Sequence, residues 1–354
     1  MSWEIDLVER RRTRTGESFQ KAKDQLIAGA SGLSADERSD LRTLATATMM
    51  PAPFGPEVDV PPAVRNAALP DAATNAQIEL ESGVLDAVTR AVNHLHTHPE
   101  GGLTRPAVVL QSVTPLRDRL QIRVDPIAVA PLLYEILPSE FEGEVSGVKG
   151  LRVRLHRRSM ELFLIDFPDA VVELVGTARQ AWHAAEAYRA VRNRDELATD
   201  VRLYRAAPDT LTQVETQALD SYGRAFGPAE VASGLLRRIA LLRDALWIRT
   251  WPTGCAHFNV EWPGDNPRRS EAALALADPL FGLPGAEIET QAMMQIPARR
   301  VSCGHGDQCN THHLRFRFTE LPDSNQSGSA LSALQAYARP EWDAWQRALG
   351  KSTE

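Results

Sequence analysis

Three strand-length segments lie almost end to end between Leu151 and Val175, and they limit the fold more than anything else in the chain. Leu151–Arg157, Met160–Phe167 and Ala170–Val175 are separated only by Arg158-Ser159 and Pro168-Asp169. Two residues can reverse a chain but cannot carry a parallel crossover, which needs a dozen or more, so the three segments form an antiparallel meander. Met160–Phe167 is apolar on both faces, which places it at the centre.

Helical and strand-like patterns surround this meander. Residues 3–28 read as one helix, amphipathic in its second half through Phe19, Ala22, Leu26 and Ile27. Ser34 followed by Glu37 has the capping-box offset for a second helix. A stripe of Leu85, Val88, Val92 and Leu95 marks a helix over 76–97, ended by Pro99 and Gly101-Gly102. Ala107–Ser112 and Arg119–Val124 read as strands, and a helix starts near Pro126. Further helices are expected at about 178–193, 210–223, 228–244 and 268–280. Strands are expected at Leu246–Trp251, His257–Trp262 and His313–Glu320, and a final helix over 330–349 carries Trp342 and Trp345. Mixed order with hairpin-like strands favours an α+β fold over a doubly wound sheet. The expected organisation is an N-terminal helical arm (1–49), a Pro-rich linker (50–74), an α+β domain with the meander (75–200) and a second α+β region (201–354). That last region holds a Cys/His loop and the C-terminal helix.

Composition narrows the functional classes. With 39 basic and 46 acidic residues the net charge is −7, which argues against a generally basic nucleic-acid binder but leaves room for a local basic face. No stretch of about 18 apolar residues is present, so no membrane span is expected. The start, MSWEIDLVERRR, carries charge where a signal peptide needs an apolar core. The three cysteines are too few for a disulfide framework, so a cytoplasmic location is expected. Only four of the 39 basic residues are lysine; with the abundant alanine, this suggests a GC-rich coding sequence and a bacterial source. No dinucleotide fingerprint or nucleophile-elbow pattern occurs. Gly350-Lys351-Ser352-Thr353 lacks the first P-loop glycine, where Trp345 stands. Asn93–Glu100 has a His-x-His-Pro string, but Pro106 stands where the JAMM metalloprotease serine belongs, and the deaminase Pro-Cys-x-x-Cys half is missing. Its His94 and His98, one helical turn apart, suit the free carbonyls of a helix C-terminus better than a metal.

Two constellations remain. The first is Cys303-Gly-His305-Gly-Asp-Gln-Cys309-Asn-Thr-His312-His313, a glycine-punctuated loop of soft and borderline ligands before a strand. Cys303, His305, Cys309 and His312 are the local candidate zinc ligands, and Cys255-Ala-His257 repeats the Cys-x-His spacing at another strand start. Either the loop closes a structural site alone, or the two Cys-x-His segments share an ion. A merely polar loop with Cys255 buried, or a Cys303–Cys309 disulfide, are the alternatives.

The second is distributed over strands that alternate apolar residues with arginine. With a period of two, Arg119, Arg123, Arg152 and Arg154 share one outer face with His156 beside them, provided that Arg119–Val124 neighbours Leu151–Arg157, and Arg157 joins them as a candidate nucleic-acid contact. Guanidinium forks suit phosphates, whereas pairing with acids of a covering helix is the structural alternative. Arg10–Ala22, with its Thr-Gly-x-Ser-aromatic string, resembles a short segment of small actinobacterial proteins, some from mobile elements, and this resemblance implies nucleic-acid contact. The leading expectation is a binding protein that offers the arginine face to an anionic partner, foremost nucleic acid, with a zinc-stabilised loop at 303–313. A metal-dependent hydrolase using Cys255, His257, Cys303, His305 and Cys309, with Asp307 as base, is one alternative. The other is an assembly subunit that contacts a protein partner through the linker and final helix.

Overall fold

The computed structural model describes residues 3–49, 60–96, 109–177, 179–192, 201–206, 209–224, 228–245, 248–253, 257–263, 267–276, 278–283, 286–288, 299–302 and 308–318. Five helices come first: α1 (Trp3–Thr15), α2 (Phe19–Ser31), α3 (Ala35–Met49), α4 (Pro62–Ala68) and α5 (Asn75–His96). Then follow β1 (Leu110–Pro115), β2 (Arg119–Val124), α6 (Val129–Ile136), β3 (Ser139–Phe141), β4 (Glu144–Ser146), β5 (Leu151–Leu155), β6 (Ser159–Leu164) and β7 (Val171–Val175). After α7 (Arg179–Arg192), α8 (Gln213–Tyr222) and α9 (Ala229–Leu236) come β8 (Arg249–Thr253), β9 (His257–Pro263), α10 (Arg269–Leu276), β10 (Ala286–Ile288), β11 (Arg299–Ser302) and β12 (Gln308–Phe318). The fold is α+β. The expected C-terminal helix lies outside the described residues.

The meander is present as β5-β6-β7, antiparallel throughout, with β6 in the middle. It belongs to a five-stranded sheet of order β1-β2-β7-β6-β5, in which β2 pairs with β7 in parallel. That parallel pair departs from the sequence expectation. It puts β7 and β6 between β2 and β5, so the two arginine strands are not neighbours. The inner face carries Leu120, Ile122, Leu162, Leu164, Val172 and Leu174, all fully buried, and α5 lies across β6 and β7. Each such side chain contributes roughly 1.5–3 kcal/mol by leaving water.

The core continues past residue 200. Val231, Leu235 and Leu236 of α9 join it, as do Phe258, Val260 and Trp262 of β9 and Leu314 of β12. The second sheet has the order β10-β12-β9-β8, with β11 pairing onto β12.

The N-terminal helices break and pack in ways that periodicity did not indicate. The helix expected over 3–28 is two helices: Gly16 ends α1 at φ +70, and the Ser18 hydroxyl caps α2 by accepting from the Lys21 amide. A Cβ on Gly16 would also sit 2.7 Å from the Gln111 carbonyl oxygen, so glycine lets α1 end directly against β1. The capping box at Ser34 and Glu37 forms as expected, opening α3. Residues 62–68 of the segment read as a linker form α4, whose Val64, Ala67 and Ala68 are buried. Pro62 suits a first helical turn, and the small alanines let α4 approach Gly29 so closely that a Cβ there would meet the Ala67 carbonyl oxygen at 2.5 Å.

This helical layer is closed by a distant segment. Leu280 and Phe281, just after α10, are fully buried among Leu7, Val8, Leu26 and Leu44. Asp278 holds that turn by accepting from the Leu280 and Phe281 amides, while Arg10 Nη2 and Arg14 Nη2 donate to its carboxylate at 2.7 and 2.9 Å. Both guanidiniums also lie over the Phe281 ring, at 4.8 and 5.2 Å.

Candidate anion-binding face

The outer face of the first sheet is built by alternation on four strands. The register runs Arg119 opposite Val171, Val171 opposite Phe163, and Phe163 opposite Arg152. The next row runs Gln121, Glu173, Glu161 and Arg154. Arg119, Arg123, Arg152 and Arg154 do share one side of the sheet, but two glutamates occupy its middle strands. Both acids were legible in the alternation of Met160-Glu161-Leu162 and Val172-Glu173-Leu174, which gives them the same face as the arginines.

Arg152 is taken out of this face by a helix. It is only 2% exposed, and its Nη1 and Nη2 donate to Glu215 of α8 at 2.9 and 2.8 Å. Burial alone would raise the Glu215 pKa. Hydrogen bonds from Arg152 and the Thr212 amide, the charge of Arg152 and a bond from the Gly150 amide outweigh it and hold the carboxyl below the ordinary glutamate value. The expectation that Arg152 faces solvent is therefore corrected: it is a structural group, paired with an acid of a covering helix.

Arg154, by contrast, is exposed, stacks its guanidinium 4.5 Å from the Phe163 ring centre and donates to Glu161 at 2.6 Å. Glu161 also has His156 Nε2 at 3.3 Å and Arg119 Nη1 at 4.0 Å. Its burial raises the pKa, but hydrogen bonds from Arg154 and His156, together with their charges, keep it below the ordinary glutamate value. Glu173 accepts from Gln121 Nε2 at 3.0 Å, and Gln121 in turn accepts from Lys21 Nζ of α2 at 3.3 Å. Burial, and next to it the nearby Arg123 charge, lower the Lys21 pKa against the pull of Glu17 and Glu173. Beyond this neutralised centre, one end of the sheet is cationic. There Arg123, next to last in β2, is exposed, and the β5–β6 turn exposes His156, Arg157 and Arg158. Among the described residues Arg123, Arg157 and Arg158 have no carboxylate partner.

The Cys/His constellation is only partly visible. Cys255, Cys303, His305 and Asp307 lie outside the described residues, as do the connecting segment 50–59 and the end of the His94–His98 string. Cys309 and His312 stand on β12, opposite Val301 of β11 and Trp262 of β9, and His257 stands opposite Arg317. His257 is thus placed eight residues along β12 from Cys309, roughly 26 Å at strand rise. Ligands of one zinc ion bind at about 2.0–2.3 Å from it, so His257 and Cys309 do not share a site. Of the five ligands of the hydrolase reading only His257 and Cys309 stand on described residues, and the register sets these two far apart. Among the described residues no group of three His, Cys, Asp or Glu is arranged to hold a metal ion.

Much of the arginine excess has a structural use. Arg237, which caps the C-terminus of α9, donates Nε and Nη2 to Glu81 of α5 at 2.8 and 2.6 Å, with both side chains fully buried. Its Nη1 reaches the Pro70 and Leu116 carbonyls at 2.8 Å, while Ser233 and Gln77 also donate to Glu81. Arg11 and Glu17 make a second buried pair at 2.7 Å. Such sites need a planar fork with several donors, which lysine lacks. Among the described residues no helix is long and apolar enough to cross a membrane. No family model matches the chain, and neither a curated protein nor a solved structure shows significant similarity to it.

Proposed function

We propose that the chain is a cytoplasmic binding protein that presents the cationic end of its first sheet to an anionic partner, foremost nucleic acid. The observation that carries this reading is the exposure of Arg157 and Arg158 at the β5–β6 turn and of Arg123 at the end of β2, each without a carboxylate partner among the described residues. Net charge opposes association with a polyanion, so affinity must come from this local patch and is expected to be modest. Phosphate contacts release counterions, which makes such binding strongly salt-dependent.

Reversing Arg157 and Arg158 to glutamate is expected to weaken binding of a short DNA or RNA duplex at least tenfold. The slope of log affinity against log salt should fall by about two. Melting temperature should barely change, because both side chains are exposed. Fluorescence anisotropy at roughly 50 and 200 mM salt, with a thermal melt for each variant, checks this. Absence of binding by the intact protein at low salt overturns the reading.

The Cys303–His313 segment forms the second part of the proposal, as a turn stabilised by zinc. Two thiols and three imidazoles in one glycine-punctuated stretch support it. About one zinc per chain is expected from elemental analysis of protein purified without chelators, falling on Cys303→Ser together with thermal stability. Metal-free protein of unchanged stability removes this part.

A further inference from the structure

We infer that the depression around Glu161 is a phosphate-binding site closed by the chain's own carboxylate, which an incoming polyanion has to displace. The inference rests on the anionic-partner reading and adds a second contact on the same face, toward the β6–β7 turn and away from Arg123, Arg157 and Arg158. The depression holds about 450 Å³ and is lined by Asp118, Arg119, Arg154, Glu161 and Asp169 over an apolar floor of Val171. Arg119 and Arg154 approach from strands on opposite flanks, and both are more than a third exposed at the side chain. They converge on Glu161, which is itself 17% exposed. His156, also exposed, completes the ring of donors at 3.3 Å. Three donor side chains around one carboxylate form the kind of site that would otherwise receive a phosphate oxygen.

The register explains why this carboxylate is poised to yield. Glu161 stands directly opposite Glu173 on β7, and like charges facing each other across strands repel. The Glu161 pairing is also at the wet surface, where an ion pair contributes little net stability and exchanges readily. Phe163 supports the Arg154 guanidinium from below, so the cation stays in place when its acceptor changes. Of the three carboxylates that line the depression, Glu161 is the one that Arg154 and His156 hold at close range, and its charge is the one an incoming anion has to displace. Asp118, 3.5 Å from Arg119, tempers that arginine further.

Glu161→Gln keeps the shape and an acceptor for Arg154 but removes the charge. It is expected to tighten binding of inorganic polyphosphate and of a short DNA duplex by roughly tenfold, the effect of removing a like charge at contact distance near a wet surface. The salt slope should steepen by about one for each cation released. Adding Arg154→Gln to Glu161→Gln should return affinity toward that of the intact protein, because the gain acts through Arg154. Should glutamine disturb the sheet, as judged by the melt, Glu161→Thr is the substitute, a residue suited to a strand. Equal or weaker polyanion binding by a folded Glu161 variant overturns the inference while leaving the anionic-partner reading intact, provided the unsubstituted protein binds. Tighter polyphosphate binding with no duplex binding by either protein upholds the inference and removes nucleic acid as partner. If neither protein binds either probe, both fall.

Discussion

Glu81→Ala is expected to cost about 3–5 kcal/mol of folding stability, because it leaves the Arg237 guanidinium buried and uncompensated. Both members of the pair are fully inaccessible, and Glu81 also accepts from Ser233 and Gln77. The loss therefore strands several donors at once. Against a typical domain stability of about 5–15 kcal/mol this is a large fraction, visible as a shift of the urea midpoint. Replacing the pair by Glu81→Leu with Arg237→Met should recover much of the loss, since an apolar pair removes two desolvated charges together. Equal stability of Glu81→Ala and the unsubstituted protein would show that the pair does not tie α5 to α9.

Arg152→Glu is expected to be at least as severe, at about 4 kcal/mol or more, because it sets a second carboxylate against Glu215 at a buried site. Arg154→Glu, two residues along on the same face, should cost about 1 kcal/mol or less, since its side chain is half exposed. The contrast separates folding from binding at two residues whose local sequence looks alike. Glu215 titrates below its ordinary value when folded, so the pair's contribution is present above the unfolded glutamate pKa and is lost as pH falls through the folded one. Urea midpoints from neutral to acidic pH measure this. An Arg152→Glu protein with an unchanged midpoint would mean that α8 does not cover β5.

Local chemistry made part of this legible in advance. The meander followed from two-residue connections, and the Ser34 cap from a three-residue offset, because both are fixed by neighbours in the chain. The fate of Arg152 was not legible, since Glu215 lies 63 residues away and nothing near Leu151 marks its approach. The same holds for β2 beside β7: a parallel pair has no turn to announce it. Helix α4 was hidden by Pro61-Pro62, which suits an extended segment as well as a helix start, and only the contact of Ala67 with Gly29 decides between them. On the candidate face the alternation places Arg119, Arg123, Arg152 and Arg154 on one side of the sheet. The acids between them come from the neighbouring strands β6 and β7, not from a covering helix, so the local sequence of the arginine strands does not show Glu161 or Glu173.

The Asp278–Phe281 turn has a consequence for how the chain comes off the ribosome. Helices α1–α4 are made long before Leu280 and Phe281, the residues that close their apolar layer. Arg10 precedes its partner Asp278 by 268 residues. At synthesis rates of roughly 5–20 residues per second, that separation is a wait of roughly 13–54 s. Throughout it, Leu7, Val8, Leu26 and Leu44 are nascent apolar surface without their final cover, the condition under which chains aggregate or engage chaperones. Truncation anywhere before Phe281 leaves the layer of α1–α4 in that unfinished state.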